Sequence, residues 1–592
     1  MLPCNTVKVL LPGFYFSLNL DRLKNHISAN TGINNMTLKS EVQKIIIEAI
    51  KEAQKNKAFP SFELEKNGKS IVVIERPSEN IHGDYATNIA LRLAGLLKKD
   101  PCEIATQIGD QVLAQKSGIV TRVEVVHPGF LNIFLNDNFV QKQVKNILKE
   151  KDKFGSLKPI DAKKKKILVE FIAANPTGQL HLGHGRNSFW GDALSNILVK
   201  AGYNTKREYY INDARASNQI KELGKTSVGE GESYLNDYLR LKIKKQNPKL
   251  KVLIKKIKDK DKLHREAGYL IAGEMQKDNK KFIEKKLKIK FDIWFSEEKE
   301  LYKKNLVKKM YDWMKSKDFI YEKEGAEWLK LSQFGDSEDR VIVRSDENKT
   351  PTYVLPDIAY HANKIQRGFN NLVDILGADH QGHVKSMKAA MKMIGFDGDL
   401  DIPIVQMVAI KEGGERMKLS KRKGKIVTLE SLIDEVGLDS ARFFYLSKSL
   451  DTQMELDLDL MREQSSKNPV FYVQYAHARI YSILRKSRLK DKDSRSKGLH
   501  LEMLSTEYEL DLIKNLIRFP ELIEEVTNDR QVHKLTHYAV SLADKFHRFY
   551  HECHVIGDDK LLTDARLALI EATAIVLKNT LDLLGVNAPK KM

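Results

Sequence analysis

The pattern of apolar and polar positions divides the chain into four stretches. Residues 1–35 hold Pro12, Gly13 and several asparagines without a sustained helical period, and read as an N-terminal extension, disordered or outside the folded body. A helix is predicted next, capped by Thr37 or Ser40 and running through Val42, Ile45, Ile46, Ile47 and Ile50. Strand-like runs at 71–74, 123–126 and 130–135 then mix with helix-like runs at 86–97 and 103–113, giving an α/β unit over 36–150. From 167 to about 426, apolar runs at 167–171, 341–343, 373–376 and 404–407 are separated by helical segments, the pattern of a parallel sheet with crossovers. A lysine-rich helical stretch at about 215–300 interrupts it. From about 440 the period is helical to the end, with a last helix over 562–584.

Bulk properties narrow the class. The 592 residues exceed what one core supports, so several domains are expected. No run of 18 apolar residues predicts a membrane span, and the apolar stretch at 9–16 lacks the basic front and cleavage site of a signal peptide. Cys4, Cys102 and Cys553 are widely spaced and form no CxxC pair, so no thiolate zinc site is expected and a reducing cytoplasm fits. The net charge of +20 fits either a lysine-rich surface or a polyanionic partner such as RNA. Lys163 to Lys166 form a basic run that marks a domain edge, or simply a solvated face.

Two segments carry chemistry. In the first, a hydrophobic strand ends at Glu170 and Phe171, a turn follows through Asn175-Pro176-Thr177-Gly178, and His181-Leu182-Gly183-His184 opens a helix. A helix N-terminus offers free backbone N–H groups and a positive dipole to an anion. Gly183 permits close approach of a nucleotide, and two histidines three apart can donate to phosphate oxygens as charge develops. A structural or metal role is the plainer reading of two histidines, but His-x-x-His with no acid nearby is a poor zinc pattern. In the second segment, Lys418-Leu419-Ser420-Lys421-Arg422 precedes Lys423-Gly424, so a glycine-flanked loop brings ammonium groups that can close on a triphosphate. Alone, it would read as a basic surface loop.

The first segment resembles the HIGH signature of class I aminoacyl-tRNA synthetases and the second resembles their KMSKS loop. Glu170, Asn175 to Gly178 and Gly185-Arg186-Asn187 are similar to the arginyl-tRNA synthetases of bacterial type. That resemblance, from about Met36 to Met592, implies a Rossmann-like catalytic domain over 160–425. It also implies an N-terminal additional tRNA-binding domain over 36–150, and a stem-contact region with an all-helical anticodon-binding domain over 426–592. It implies an arginine–tRNA ligase using ATP with Mg2+, no structural metal, and tRNA-Arg as partner, cytoplasmic and monomeric. His181, Gly183, His184, Lys418, Ser420 and Lys421 would hold ATP, with both histidines and both lysines catalytic. Glu170, Ala173, Ala174, Asn175, His184, Tyr353, Asp357 and His380 would line the arginine site. Tyr353 and Asp357 match the segment that contacts the guanidinium, for which an aromatic face and a carboxylate are suited; His380 and Gln381 compete for one contact position. Tyr85 and Asn88 near the N-terminus, and Tyr475 and Arg479 on a C-terminal helix, are candidate tRNA contacts, each with a structural role as the alternative.

Departures from the family pattern are Ala173-Ala174 in place of Ser-Pro, Gln179 in place of Pro, and Arg215 in place of Gly. A cysteinyl or methionyl enzyme, a small nucleotidyltransferase and a non-catalytic RNA-binding relative are the rival readings. The absent zinc cysteines, the helical C-terminal third and the intact His181, His184, Lys418 and Lys421 speak against them in turn.

Overall fold

The computed structural model describes residues 6–11, 14–19, 37–66, 69–77, 79–158, 166–346, 350–417, 428–490 and 499–592. Five short parallel strands form the central sheet. In chain order they are β1 (Lys166–Glu170), β2 (Asn204–Ile211), β3 (Ile293–Ser296), β4 (Asn371–Asp374) and β5 (Asp399–Asp401). Their spatial order is β3-β2-β1-β4-β5, so the winding reverses between β1 and β4. In open α/β sheets a ligand crevice lies at the carboxyl ends of the strands at such a switch point.

β1 and β4 lie at the centre and are almost wholly buried, as a parallel strand covered on both faces must be. β1 feeds helix α1 (Leu182–Lys200), which crosses back to β2. α1 is buried on nearly every side, a pattern of a core helix rather than an amphipathic surface one. It packs against the sheet on one side and against the C-terminal helices Leu438–Leu446, Phe519–Asp529 and Lys560–Leu584 on the other. Gly191 allows the contact with β1, since a Cβ there would sit 2.3 Å from Phe171.

Between β2 and β3 lies the helical insertion: Asn218–Ser227, Asp237–Lys256 and α2 (Lys260–Lys285). Between β3 and β4 lies a small antiparallel sheet of Ile320–Lys323, Ala326–Leu329 and Arg340–Val343, followed by α3 (Val354–Gln366). The expected strand at 341–343 therefore exists but belongs to this side sheet. A short apolar run does not reveal which sheet takes it. The run at 404–407 forms only Ile404–Val405, paired with Leu376–Gly377 beyond the end of β4.

The N-terminal unit packs helices Leu38–Lys55, Ile89–Leu97 and Pro101–Ala114 around an antiparallel sheet of Tyr85–Thr87, Phe130–Leu135 and Val120–Val126. Upstream, Thr6–Leu11 pairs antiparallel with Phe14–Asn19, so the stretch expected to lack elements carries a hairpin. The C-terminal region is helical from Pro469 onward, in the helices Pro469–Lys490, Glu507–Ile517, Phe519–Asp529, His533–Glu552 and Lys560–Leu584. Among the described residues no helix is long and apolar enough to cross a membrane.

Tyr85 requires a correction. It was a candidate RNA contact, but it is fully buried where the N-terminal unit meets the C-terminal bundle. Its hydroxyl donates to Glu521 Oε1 at 2.5 Å, Arg76 lies over its ring at 4.6 Å, and Arg76 Nε donates to Glu521 Oε2 at 2.7 Å. Arg76 Nη2 donates to Glu521 Oε1 at 3.1 Å, and the Lys39 backbone N–H adds a fourth bond to the same carboxylate. A ring enclosed in this way cannot stack on a base. Removing the carboxylate in Glu521→Ala strands a buried guanidinium and phenol, at a cost of about 3–5 kcal/mol. The expected outcome is a lower urea midpoint and faster proteolytic release of the N-terminal unit, read by denaturation and limited digestion.

Candidate functional site

The turn after β1 is strained. Ile172 has φ +72° and Ala173 φ +42°, and the Ala173 N–H donates back to Phe171 O at 3.1 Å, closing a three-residue turn. A β-branched residue rarely adopts this conformation, and such strain persists only where the surroundings hold it. Asn187 on α1 does much of the holding: its Oδ1 accepts from Ile172 N at 2.7 Å and its Nδ2 donates to Ile375 O at 2.9 Å, bridging the ends of β1 and β4. Asn212 donates to Ala173 O, while Gln276 and Asn279 on α2 reach Ala174 O and Gly178 O. Asn175 is exposed on this loop.

The N-terminus of α1 is closed by its two histidines. His181 Nδ1 accepts from Gly183 N, and His184 Nδ1 accepts from His181 N, both at 3.1 Å, with ring centroids 3.8 Å apart. Burial pushes His181 down, and burial together with His181 pushes His184 down to about 3. Both rings are therefore neutral at physiological pH. Because each Nδ1 accepts, each proton sits on Nε2, which leaves two neutral N–H donors.

Beneath the crevice lies a charged network. Lys364 on α3 is fully buried and donates to Glu170 Oε2 at 2.6 Å and Asp374 Oδ1 at 2.7 Å, the last residues of β1 and β4. The Tyr360 hydroxyl lies between Glu170 Oε2 at 2.8 Å and Glu208 Oε1 of β2 at 2.6 Å, within hydrogen-bond distance of both, Arg367 forks onto Glu208, and His361 bonds Asp374 Oδ2 at 2.7 Å. Glu170 is thus part of the floor, with Oε2 taken by Lys364 and Tyr360.

Above this floor the balance is different. Glu297, just past β3, is pushed up to about 8 by desolvation, by Asp357 and by Asp213. Tyr210 and Tyr302 are pushed up by burial and by the Glu297 and Asp357 charges. Asp213 is held by Ser296 Oγ and the Glu298 N–H. Asp357 accepts from His383 Nε2 at 2.9 Å, a bond that raises the imidazole above its usual value. Two carboxylates and two phenols thus face one another with no lysine or arginine among the groups acting on Glu297, which suits a cationic ligand. Glu297 was not among the expected residues. His380 is exposed beside Asp379, and His383 is the histidine of its segment that reaches Asp357. Tyr353 is 70% exposed at the start of α3.

A strained strand end, a histidine-capped helix N-terminus and an acidic pocket thus meet at one switch point. The family pattern of the tRNA synthetases class I (R) catalytic domain matches residues 143–480. The chain belongs to the arginyl-tRNA synthetase family. The arginyl-tRNA synthetase N-terminal domain matches residues 40–135, and the DALR anticodon-binding domain matches 473–592. The arginine–tRNA ligase of Caldanaerobacter subterraneus is 41% identical over 572 residues, covering 94% of this chain and 99% of that protein. The arginyl-tRNA synthetase structure from Campylobacter jejuni is 31% identical with a TM-score of 0.66, over 77% of this chain and all of that one. The Thermus thermophilus arginyl-tRNA synthetase shares the fold, with a TM-score of 0.72 at 21% identity, over 94% of this chain and all of that one.

The second signature of this synthetase, with Lys418, Ser420 and Lys421, lies outside the described residues. Its flanks are described. The hairpin Val408–Glu412 and Glu415–Met417 leads in, and Thr428 bridges to His181 while Leu429 N donates to Leu180 O at 2.9 Å. The chain that follows the second signature is therefore anchored on the first. Arg186 strengthens this junction: fully buried, it donates to Gln406 O at 3.1 Å and to Ser449 O. Of the remaining tRNA candidates, Asn88 is half-buried at the start of its helix and Tyr475 is exposed near Phe471 and His547. Arg479 is half-buried and bonds Tyr550 at 2.9 Å.

Lys364→Met leaves two buried carboxylates facing each other, for an expected loss of about 3–5 kcal/mol. In the variant both carboxyls titrate above their unfolded values, so that they favour folding only while protonated. The deficit against wild type should shrink as pH falls from 8 toward 5, measured by urea unfolding at each pH.

Proposed function

We propose that this synthetase activates L-arginine with ATP and loads it onto the 3′-terminal ribose of tRNA-Arg, as a cytoplasmic monomer. The observation that carries the reading is the acidic pocket of Glu297 and Asp357 beside the α1 N-terminus. The substrate guanidinium, a flat cation with five donors, enters between the two carboxylates against Tyr210 and Tyr302. Tyr353 covers the pocket, and Ala173, Ala174, Asn175, His184 and the segment of His380 and His383 hold the amino-acid end. Glu170 supports this through Lys364 and Tyr360.

ATP arrives with Mg2+ on its phosphates. An oxygen of the arginine carboxylate attacks the α-phosphorus, the bond to the β-phosphate oxygen breaks, and pyrophosphate leaves. Charge gathers on the phosphate oxygens during this step, and His181 and His184 donate Nε2–H to them without needing protonation. Gly183 allows the nucleotide close to the helix. Lys418, Ser420 and Lys421 neutralise the departing pyrophosphate. The tRNA ribose hydroxyl then attacks the adenylate carbonyl and AMP leaves. Tyr475, Arg479 and Asn88 contact the tRNA away from the reaction centre.

Wild type should charge total tRNA with arginine, while Asp357→Ala and Lys421→Ala, still folded, should fail; charging of a different amino acid would overturn the pocket. Glu297→Gln removes one charge-assisted contact of about 1.5–3 kcal/mol and should raise the arginine KM roughly 10- to 150-fold. Glu297 also sets a pH dependence. Its raised pKa leaves it neutral below about 8 in the free enzyme, and a cation favours the ionised form. The arginine KM should fall by up to about tenfold per pH unit as pH rises toward 8. That slope should flatten in Glu297→Gln, as read by steady-state kinetics from pH 6 to 9.

A further inference from the structure

Two turns lock together behind the acidic pocket, one after β2 and one after β3. Ser296 Oγ donates to Asp213 at 2.7 Å, and the Glu298 N–H donates to the same carboxylate at 3.0 Å. In return the Ala214 N–H donates to the Glu297 carboxylate, and the Arg215 N–H donates to Glu298 Oε2 at 3.0 Å. Successive backbone donors of one turn thus hold successive glutamates of the other. The lock gathers acids: Asp213, Glu297 and Glu298 lie together, and Asp357 faces them from α3. Carboxylates this close resist ionising together unless a cation answers one of them.

Arg215 answers Glu298. Its Nη1 donates to Glu298 Oε1 at 2.8 Å, so one residue clasps this buried carboxylate with both its backbone N–H and its guanidinium. The guanidinium is itself held in place. Nε and Nη2 fork onto Glu266 Oε1 and Oε2 of α2 at 2.8 and 3.0 Å, and the Tyr269 ring centre lies 3.6 Å from its carbon. Arg265 Nη1 donates to Arg215 O at 2.7 Å and fixes the backbone of the turn. The Glu298 charge reaches the pocket, since it acts on Tyr302 together with Glu297 and Asp357, and on Asp213. Pairing Glu298 and leaving Glu297 without a cation keeps the pocket one positive charge short, which favours a ligand that carries one.

We propose that Arg215 is a positioning residue of the arginine pocket: as the fixed counter-ion of Glu298, it sets the neighbouring Glu297 in place and leaves that carboxylate to the substrate guanidinium. This rests on the pocket reading above. Arg215 touches no substrate and acts through Glu298. Without it, two adjacent glutamates share one excess of negative charge, and Glu297 keeps its proton to higher pH.

The test compares wild type with R215M, R215Q, R215K and a K299M control, which removes a charge from an exposed neighbour of Glu298. Aminoacylation kinetics are followed across the pH range used for Glu297→Gln, with thermal melting alongside. R215M should raise the arginine KM roughly tenfold or more with kcat within about twofold, because guanidinium binding is lost alike in ground and transition states. The pH at which the arginine KM levels off should move up by roughly one unit. The groups that face Glu297 stay as they are: Tyr210, Asp213, Tyr302, and Asp357 with its partner His383. R215Q keeps a donor for Glu298 without the charge, so it should show the same upward shift even if R215M does not fold. R215K returns a charge to Glu298 and should recover most of the KM and the wild-type pH profile. K299M should match wild type. A lower melting temperature with KM and pH profile unchanged, a fall in kcat alone, equal defects in R215K and R215Q, or the same shift in K299M would each overturn the proposal. If wild type does not charge arginine, or Glu297→Gln leaves its KM unchanged, the pocket reading itself has failed and this proposal falls with it.

Discussion

The site depends on one buried ammonium. Lys364 sits between the terminal carboxylates of β1 and β4, the two strands between which the sheet reverses. Burying such charges costs several kcal/mol per ion, and only good geometry offsets it. Here the offset fixes a position: α3 can lie against the strand ends in one way that satisfies both carboxylates. Tyr360 and Arg367 extend the same constraint to Glu208 on β2. Asp357 rides on α3 two turns before Lys364, so the side chain best placed to meet a guanidinium takes its location from an ion network it does not touch.

The floor and the pocket treat charge in opposite ways. In the floor, acids and bases are matched within hydrogen-bond distance. In the pocket, Glu297 is pushed up by burial first and then by the nearby Asp357 and Asp213, with no lysine or arginine among the main groups acting on it. A cation entering there supplies what the fold withholds. At the other end of the crevice the histidines are neutral donors, locked by each other and by backbone N–H groups. They are suited to charge that appears only during reaction, whereas a resting triphosphate calls for cations, a role proposed above for Lys418 and Lys421.

The strand, turn and helix of the first signature were legible because each carries a local signal: an apolar run, Pro and Gly, then histidines at a cap. Asp357 and Tyr353 were legible by resemblance. Glu297 was not, because Ser296-Glu297-Glu298-Lys299-Glu300 has the composition of a solvated turn and only the fold turns two of its acids, Glu297 and Glu298, inward. β2 escaped notice for a related reason: Asn204-Thr205-Lys206-Arg207-Glu208 reads as surface, yet Glu208 is buried against Tyr360 and Arg367. Tyr85 misled in the other direction. An aromatic beside Gly83 and Asp84 looks the same whether it faces RNA or a glutamate 436 residues away. Local sequence encodes propensity and period, while the sign of a side chain's environment is set by long-range packing.

The burial of α1 on nearly every side ties these observations together. A helix that only carried two histidines to a crevice would need one apolar face. This one is also held through Arg186 to Gln406 O and Ser449 O, through Tyr445 to Leu182 O at 2.9 Å, and through Asp192 to the buried Arg442 at 2.8 Å. Those partners belong to the approach to the second signature and to the helices that lead into the bundle. The helix is therefore common to the sheet, the approach to the second signature and the C-terminal helical third of the chain. A reaction that proceeds by positioning and charge stabilisation needs such a shared reference, since an error of 1 Å in its setting costs on the order of a hundredfold in rate. The strain stored at Ile172 and Ala173 fits the same logic: with α1 fixed by its surroundings, the turn between β1 and α1 is where the backbone must bend to meet both.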